Sequence, residues 1–366
     1  YGAAPLIAAE IGAGRHALRE VRRSVRMALW LSMVCGVIGA GVCWLAEPLM
    51  LATGQDPAVS ARAGEFIRLL SLAIVPTVAA NVLRTFVSAL GRPGFATLVT
   101  ALAIAVNALG NWVFVFGKLG MPAMGLTGSA VSTIITAFAM VLAYVLAIQS
   151  DRRLRRYHLF GRLWRAEWAR LRRIVSLGLP IALTVIAEGG LFNSAPFLMG
   201  RIGTNELAAH TIALQIAAFA FQIPFGISQA ATIRVGLHYG AGDRAAMGRA
   251  GWAAMATCIG FQIAAAAIML IAPRTVIAAY VDPQAAANAA MVALAVQYLA
   301  IGAAFQLFDG LQATAAGALR GLQDTRIPML IALAGYWLVG FSISFILGLE
   351  TPLGGIGVWL GLAAGL

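Results

Sequence analysis

The chain has 366 residues, of which 61% are hydrophobic and only 11% charged, with a mean hydropathy of +0.86. Soluble domains carry about 25% charged residues, so a water-soluble globular fold is excluded, and the apolar residues running through the whole chain exclude disorder. The net charge of +12 would suggest nucleic acid in a soluble chain, but arginine-rich loops of a membrane protein explain it more simply, and no nucleic-acid partner is expected.

A helix needs about 20 apolar residues to cross a bilayer. In chain order, a partial span is predicted at 1–14. Full spans follow at 27–50, 66–90, 94–117, 123–148, 174–199, 207–233, 250–272, 288–319 and 326–349, then a second partial span at 354–366. A barrel would show alternating segments of about ten residues; these runs are continuous and much longer, so the fold class is all-α integral membrane protein. Pro76, Pro180 and Pro224 fall inside spans and should kink them. Cys35, Cys43 and Cys258 lie in apolar runs with no CxxC spacing and read as small core residues. The chain opens on Tyr1 with no charged leader ahead of an apolar run, so no signal peptide is visible.

The basic residues orient the spans. Twenty-five are Arg, and Lys118 is the only lysine. Twenty-one, including Arg15, Arg19, Arg22, Arg23 and Arg26, Arg92, nine from Arg152 to Arg173, Arg244, Arg249, Arg320 and Arg326, belong to one set of helix ends and connections; five belong to the other. The positive-inside rule assigns the richer set to the cytoplasm and Lys118 to the outside. The segment 150–173 places Phe160, Trp164, Trp168 and Leu171 on one helical face, with Arg162, Arg165 and Arg170 beside them. It is predicted to be a basic amphipathic helix on the inner leaflet, with a partner-binding element as the alternative, and a cytoplasmic connector between an N-lobe (1–149) and a C-lobe (174–366).

The lobes repeat. Gly12-Ala13-Gly14 recurs as Gly240-Ala241-Gly242 at offset 228, and Gly125-Leu126-Thr127-Gly128 as Gly354-Gly355-Ile356-Gly357 at offset 229. Pro122 recurs as Pro352, offset 230. A nearly constant offset marks an internal repeat. The second copy has six spans and the first five, so the repeat predicts twelve helices in two six-helix lobes. The first helix, part of the second and the end of the twelfth would then lie outside this chain. An even number per lobe puts the pseudo-twofold axis along the membrane normal.

A carboxylate at the centre of a membrane helix costs about 2.5–3.5 kcal/mol, so the acids inside spans need a reason. Glu188 sits mid-span ahead of Gly189-Gly190, and Asp309 well inside 288–319; neither has Lys or Arg within several residues. Both read as ion- or substrate-handling groups, with a hydrogen-bonded neutral acid as the alternative. Asn107 and Asn111 share a helix face, and Thr133 and Ser129 follow in the next span; such oxygens suit Na⁺ or a protonated acid, or merely join helices. His210 reads as a hydrogen-bonded packing histidine, with a proton-sensitive group as the alternative, and Glu10 as a residue snorkelling from a helix end. His16, His158 and His238 lie by cytoplasmic connections without metal spacing. The chain has no GxxxxGK[ST], HExxH or GxSxG motif, so no ATPase, metalloprotease or serine hydrolase chemistry is expected, and no cofactor.

The stretches Leu207-Ala208-Ala209-His210-Thr211-Ile212-Ala213-Leu214-Gln215, Ile223-Pro224-Phe225-Gly226-Ile227-Ser228-Gln229 and Gly240-Ala241-Gly242-Asp243 resemble the eighth helix of the multidrug and toxic compound extrusion (MATE) family, NorM-like branch. Asn107 to Asn111, Phe116-Gly117 and Gly125 to Ala130 resemble its fifth and sixth helices, and Ala316 to Gly321 with Asp324-Thr325 its tenth-to-eleventh connection. The resemblance implies export of small organic cations in exchange for Na⁺ or H⁺ by a monomeric, bilayer-embedded protein. Residue by residue, it makes Glu188 and Asp309 the cation-coupling acids, with Na⁺ as one candidate occupant. Asn107, Asn111 and Thr133 become the N-lobe polar site. The competing readings are a flippase for a lipid-linked saccharide, which should line its cavity with arginines, and a non-transporting scaffold, in which Glu188 and Asp309 would be costly without purpose.

Overall fold

The computed structural model describes residues 2–14, 17–52, 54, 56–161, 163 and 165–366. Arg15, His16, Arg162 and Trp164, which enter the readings above, lie outside them. The chain divides into two compact units, Ala3–Val175 and Ser176–Leu366. The first holds α1 (Ala3–Gly12), α2 (Ala17–Trp44), α3 (Ala46–Ala52), α4 (Pro57–Ser71), α5 (Ile74–Ala89), α6 (Pro93–Phe114), α7 (Leu126–Ser150), α8 (Arg152–Arg155) and the start of α9 (Trp168–Ile202). The second holds the rest of α9, α10 (Thr204–Ala241), α11 (Arg244–Ile271), α12 (Pro273–Ile277), α13 (Ala289–Gly321), α14 (Arg326–Leu333), a π-helical stretch Ala334–Phe341, α15 (Ser342–Leu349) and α16 (Gly355–Gly365). No strand occurs among the described residues.

Among the described residues, eight stretches are long and apolar enough to cross a membrane, nine if α4 and α5, bent by 40°, form one span; they coincide with the nine full spans read from the sequence. The bend has a local cause. Pro76 has no N–H for the carbonyl of Leu72 and its ring crowds that carbonyl, so α4 ends at Ser71 and α5 starts at Ile74. The helix runs on without a break through Pro180 in α9 and Pro224 in α10. Side chains such as Val37 and Trp44, each 62% exposed, cover α2 with the apolar surface that lipid requires.

Two expectations need correction. The predicted helix over 150–173 is broken. Asp151 Oδ1 caps α8 by accepting from the backbone N–H of Arg153 (2.7 Å) and Leu154 (3.2 Å), but α8 lasts four residues and His158 takes a left-handed φ of 44°. Leu154, Tyr157 and Leu159 turn inward, and the Tyr157 ring meets Phe86 edge-on at 5.3 Å. Burying these three, whose spacing fits no helix face, wins over the surface stripe, and Trp168 is left 70% exposed at the start of α9. The segment belongs to the first unit. Glu10, in turn, is not a snorkelling end residue: Arg170 pairs with it and with Glu20, and Ser24 Oγ donates to it at 2.8 Å. Arg23 and Arg26 both pair with Glu167, so one ion network joins α1, α2 and the start of α9.

The repeat is visible in backbone geometry. Gly125 caps α7 at φ 54°, ψ −124°, and Gly354 caps α16 at φ 53°, ψ −128°; only glycine adopts this region freely. Nearly two turns inside each helix the same close contact recurs with its partners exchanged. In the first unit Ser132 of α7 donates to the Asn107 carbonyl of α6 at 3.0 Å, against Gly110. In the second, Ser344 of α15 donates to the Val358 carbonyl of α16 at 3.0 Å, against Gly361. A Cβ on Gly110 would stand 2.4 Å from Ser132 Oγ, and one on Gly361 2.3 Å from Ser344 Oγ.

The second unit is built on α10 packed along α13. Membrane helices associate through small residues that let backbones approach and through interhelical hydrogen bonds. Both operate here: Ser228 Oγ donates to the Ala313 carbonyl at 2.7 Å and Thr232 Oγ1 to the Gly317 carbonyl at 2.8 Å.

Candidate functional site

Beside this seam lies a cavity of about 400 Å³. Thr184, Glu188 and Phe192 of α9, Phe221, Phe225 and Ser228 of α10, Gln312 and Arg320 of α13, and Pro328 and Ile331 of α14 line it. Glu188 is half-buried, and three phenylalanines make the wall largely apolar. Arg320 also belongs to the lining, so the cavity is not built of acidic and neutral groups alone. Counted from the sequence among loop arginines, it occupies the last turn of α13 and attracts Glu188 electrostatically across the cavity.

Asp309, one turn before Gln312, does not line the cavity. It is 5% exposed and its Oδ1 has no hydrogen-bond partner, yet it lies close enough to Glu188 for the two carboxylates to repel. The π-helical stretch shapes the adjoining wall. It turns Tyr336 toward α13, where Gln312 Nε2 donates to the Tyr336 hydroxyl at 2.6 Å. It also turns Trp337 toward α9, where the indole N–H donates to the Ala187 carbonyl at 3.2 Å. Gly190 is required for that approach: a Cβ there would stand 2.8 Å from the Trp337 ring. π-turns inside α-helices concentrate at functional sites, and this one replaces the regular helix expected over 326–349.

In the first unit, Asn111 Nδ2 donates to Asn107 Oδ1 at 3.1 Å. Asn107 Nδ2 reaches Ser132 Oγ at 3.5 Å and Thr136 Oγ1 at 3.4 Å. Thr133 does not join them by hydrogen bond; its hydroxyl donates to the Ser129 carbonyl of its own helix at 2.9 Å. The polar cluster is therefore Asn107, Asn111, Ser132 and Thr136, with Asn111 Oδ1 buried and unpartnered. His210 is fully buried, but neither ring nitrogen has a hydrogen-bond partner. It packs edge-on against Trp359 at 5.6 Å, which corrects the hydrogen-bonded histidine expected.

Sequence reasoning paired Glu188 with Asp309 and Asn107 with Asn111. It missed Gln312, Arg320, Tyr336 and Ser132. Gln312 was findable, three residues beyond Asp309 on the same face. Tyr336 and Trp337 were not, because a π-turn shifts the register that periodicity assumes. No group of three or more His, Cys, Asp or Glu able to hold a metal occurs among the described residues.

Membrane-length helices that set a half-buried Glu188 and a buried Asp309 at and behind a cavity have the architecture of a membrane transport protein. A model of the MatE family matches residues 1–113 and 180–346. A probable multidrug resistance protein NorM of Mesorhizobium japonicum is 44% identical over 362 residues, 99% of this chain and 78% of that protein; one from Brucella suis is 44% identical over 99% and 77%. The crystal structure of the eukaryotic MATE transporter AtDTX14 covers 100% of the chain and 80% of its own at TM-score 0.84 and 19% identity. The outward-facing conformation of a multidrug resistance MATE family transporter of the MOP superfamily covers 100% and 79% at TM-score 0.86 and 20% identity. The chain belongs to the MatE family of transporters.

Proposed function

We propose that the protein is a secondary active exporter of organic, chiefly cationic compounds from the bacterial cytoplasm, driven by inward movement of Na⁺ or H⁺ through alternating access. The multidrug resistance names of its relatives support export; a lipid-saccharide flippase is not favoured by them. The observation that carries the finer reading is Glu188, facing a phenylalanine-lined cavity with Asp309 behind it. Two carboxylates near one guanidinium hold an excess negative charge when both are ionised. That excess can be met by an aromatic cation, by Na⁺ or by a proton, and loading of one expels another. Antiport needs this exclusion, together with different affinities in the two access states, since a ligand binding both equally shifts nothing.

The test is uptake of ethidium into everted membrane vesicles under an imposed Na⁺ or H⁺ gradient. Glu188→Gln and Asp309→Asn keep size and hydrogen bonding while removing the charge, and each should abolish gradient-driven uptake at normal protein levels. Wild-type rates in both would refute the assignment.

A further inference from the structure

A second polar feature of the Ser176–Leu366 unit is not absorbed by the cavity. Tyr298, His210 and Trp359 are 0% exposed and Gln306 1%. The Tyr298 hydroxyl, both His210 ring nitrogens, the Trp359 indole N–H and both amide atoms of the Gln306 side chain have no hydrogen-bond partner, and Asp309 Oδ1 shares that condition. More than nine buried polar groups in ten are bonded, and clustered exceptions call for a reason. Inside membranes, buried polar chains mark ion and proton paths.

Three of these side chains follow one face of α13. Positions 298, 302, 306 and 309 share one face of α13, because steps of four and three residues return to the same side of a helix. Gly302, between them, lies against Trp359: a Cβ there would stand 3.4 Å from the ring, an ordinary contact. Trp359 stacks on Tyr298 at 6.1 Å and meets His210 at 5.6 Å. Ser228 bonds to Ala313 and Thr232 to Gly317, both 85 residues apart; the same register puts His210 level with Ala295, one turn from Tyr298. The Tyr298 hydroxyl touches the first turn of α16, where a Cβ on Gly355 would stand 1.9 Å away. Glu206, in the first turn of α10, is its charged neighbour. The arginine distribution puts both helix starts outside. At the other end, the titratable groups near Asp309 are Glu188, Cys258 and Tyr336.

We propose that Tyr298 and His210, with water held by Gln306 and Trp359, form a proton path from the outer end of this unit to Asp309. The proposal rests on Asp309 being a coupling carboxylate. A hydroxyl and an imidazole each donate and accept, so each can release one proton as it takes another. The last proton ends on the Asp309 carboxylate, the first comes from outside water, and nothing is oxidised or reduced. Tyr298 and Asp309 are eleven residues apart, about 16 Å along the helix, so the path requires water between them. Na⁺ fits this path poorly, because it asks for several oxygens and meets the Trp359 N–H and the imidazole.

The test uses the purified protein in proteoliposomes with ethidium as substrate, comparing wild type, Tyr298→Phe, Gln306→Met and His210→Phe. Tyr298→Phe keeps the ring stack and loses only the hydroxyl. The path predicts that Tyr298→Phe and His210→Phe slow H⁺-gradient-driven export about tenfold or more. Ethidium binding in detergent, and ethidium–ethidium exchange across the membrane without a gradient, should stay at wild-type level. If the buried polar atoms are merely unbonded, removing them leaves stability equal or higher; driven export at wild-type rates, with a raised unfolding temperature in Tyr298→Phe and Gln306→Met, overturns the path alone. Wild-type export driven by Na⁺ but not by H⁺ overturns it too. Wild-type export under neither gradient overturns the coupling reading and the path with it.

Discussion

Gly317→Ala would test the α10–α13 seam on which the cavity is built. The new Cβ would lie 2.4 Å from the Ser228 carbonyl oxygen, 2.5 Å from Ser228 Oγ and 3.0 Å from the Ser228 carbonyl carbon. Two of the three are backbone atoms, so the helices must separate rather than a side chain rotate. Overpacking of this kind costs about 1–3 kcal/mol. The shift also lengthens the Ser228–Ala313 and Thr232–Gly317 bonds, each worth about 0.6 kcal/mol in a membrane. Against this, alanine gains about 1 kcal/mol over glycine in a helix, leaving a net loss of about 1–3 kcal/mol. Gly226→Ala in α10 is the control. A Cβ there meets nothing within 4 Å, so only the helix gain remains and the sign reverses. Thermal unfolding of the purified variants in detergent reads the difference. A Gly317→Ala protein as stable as wild type, or as Gly226→Ala, would refute the reasoning; adding Ser228→Ala should recover part of the loss by removing Oγ.

Thr133→Val should transport near the wild-type rate, because its hydroxyl serves its own helix, whereas Ser132→Ala with Thr136→Val should slow ethidium export about eightfold if two contacts at 0.6 kcal/mol each position the asparagines; equal rates would remove this cluster from the site. Arg170→Met strips Glu10 and Glu20 of their shared cation and should cost about 2–4 kcal/mol of stability, part of it recovered by adding Glu10→Gln; an unchanged unfolding temperature would show the network to be passive. Arg155→Cys should resist an impermeant thiol reagent applied outside intact cells, and labelling from outside would reverse the topology.

The membrane class, the nine spans and the two pairs Glu188–Asp309 and Asn107–Asn111 were legible in the sequence. Lipid demands continuous apolar runs with internally bonded backbones, and an acid within such a run announces itself by its cost. The repeat was legible as well, since the left-handed caps at Gly125 and Gly354 admit little but glycine. The connector was not: its arginine and aromatic spacing described a helix, but burial of Leu154, Tyr157 and Leu159 decided the path. Arg320 looked like a loop cation until α13 carried it to the cavity edge beside Glu188. Thr133 and Ser129 were read as the partners of the asparagines, yet rotation of α7 against α6 gave that place to Ser132 and Thr136. The register change in the π-helical stretch set Tyr336 on Gln312 and Trp337 on α9. The sequence by itself therefore determined which residues bear charge and polarity within the membrane, because that depends on transfer from water and is local. Only the tertiary structure decided which of them meet, because helix rotation and the close approach permitted by Gly110, Gly190 and Gly317 are settled between helices, not within one.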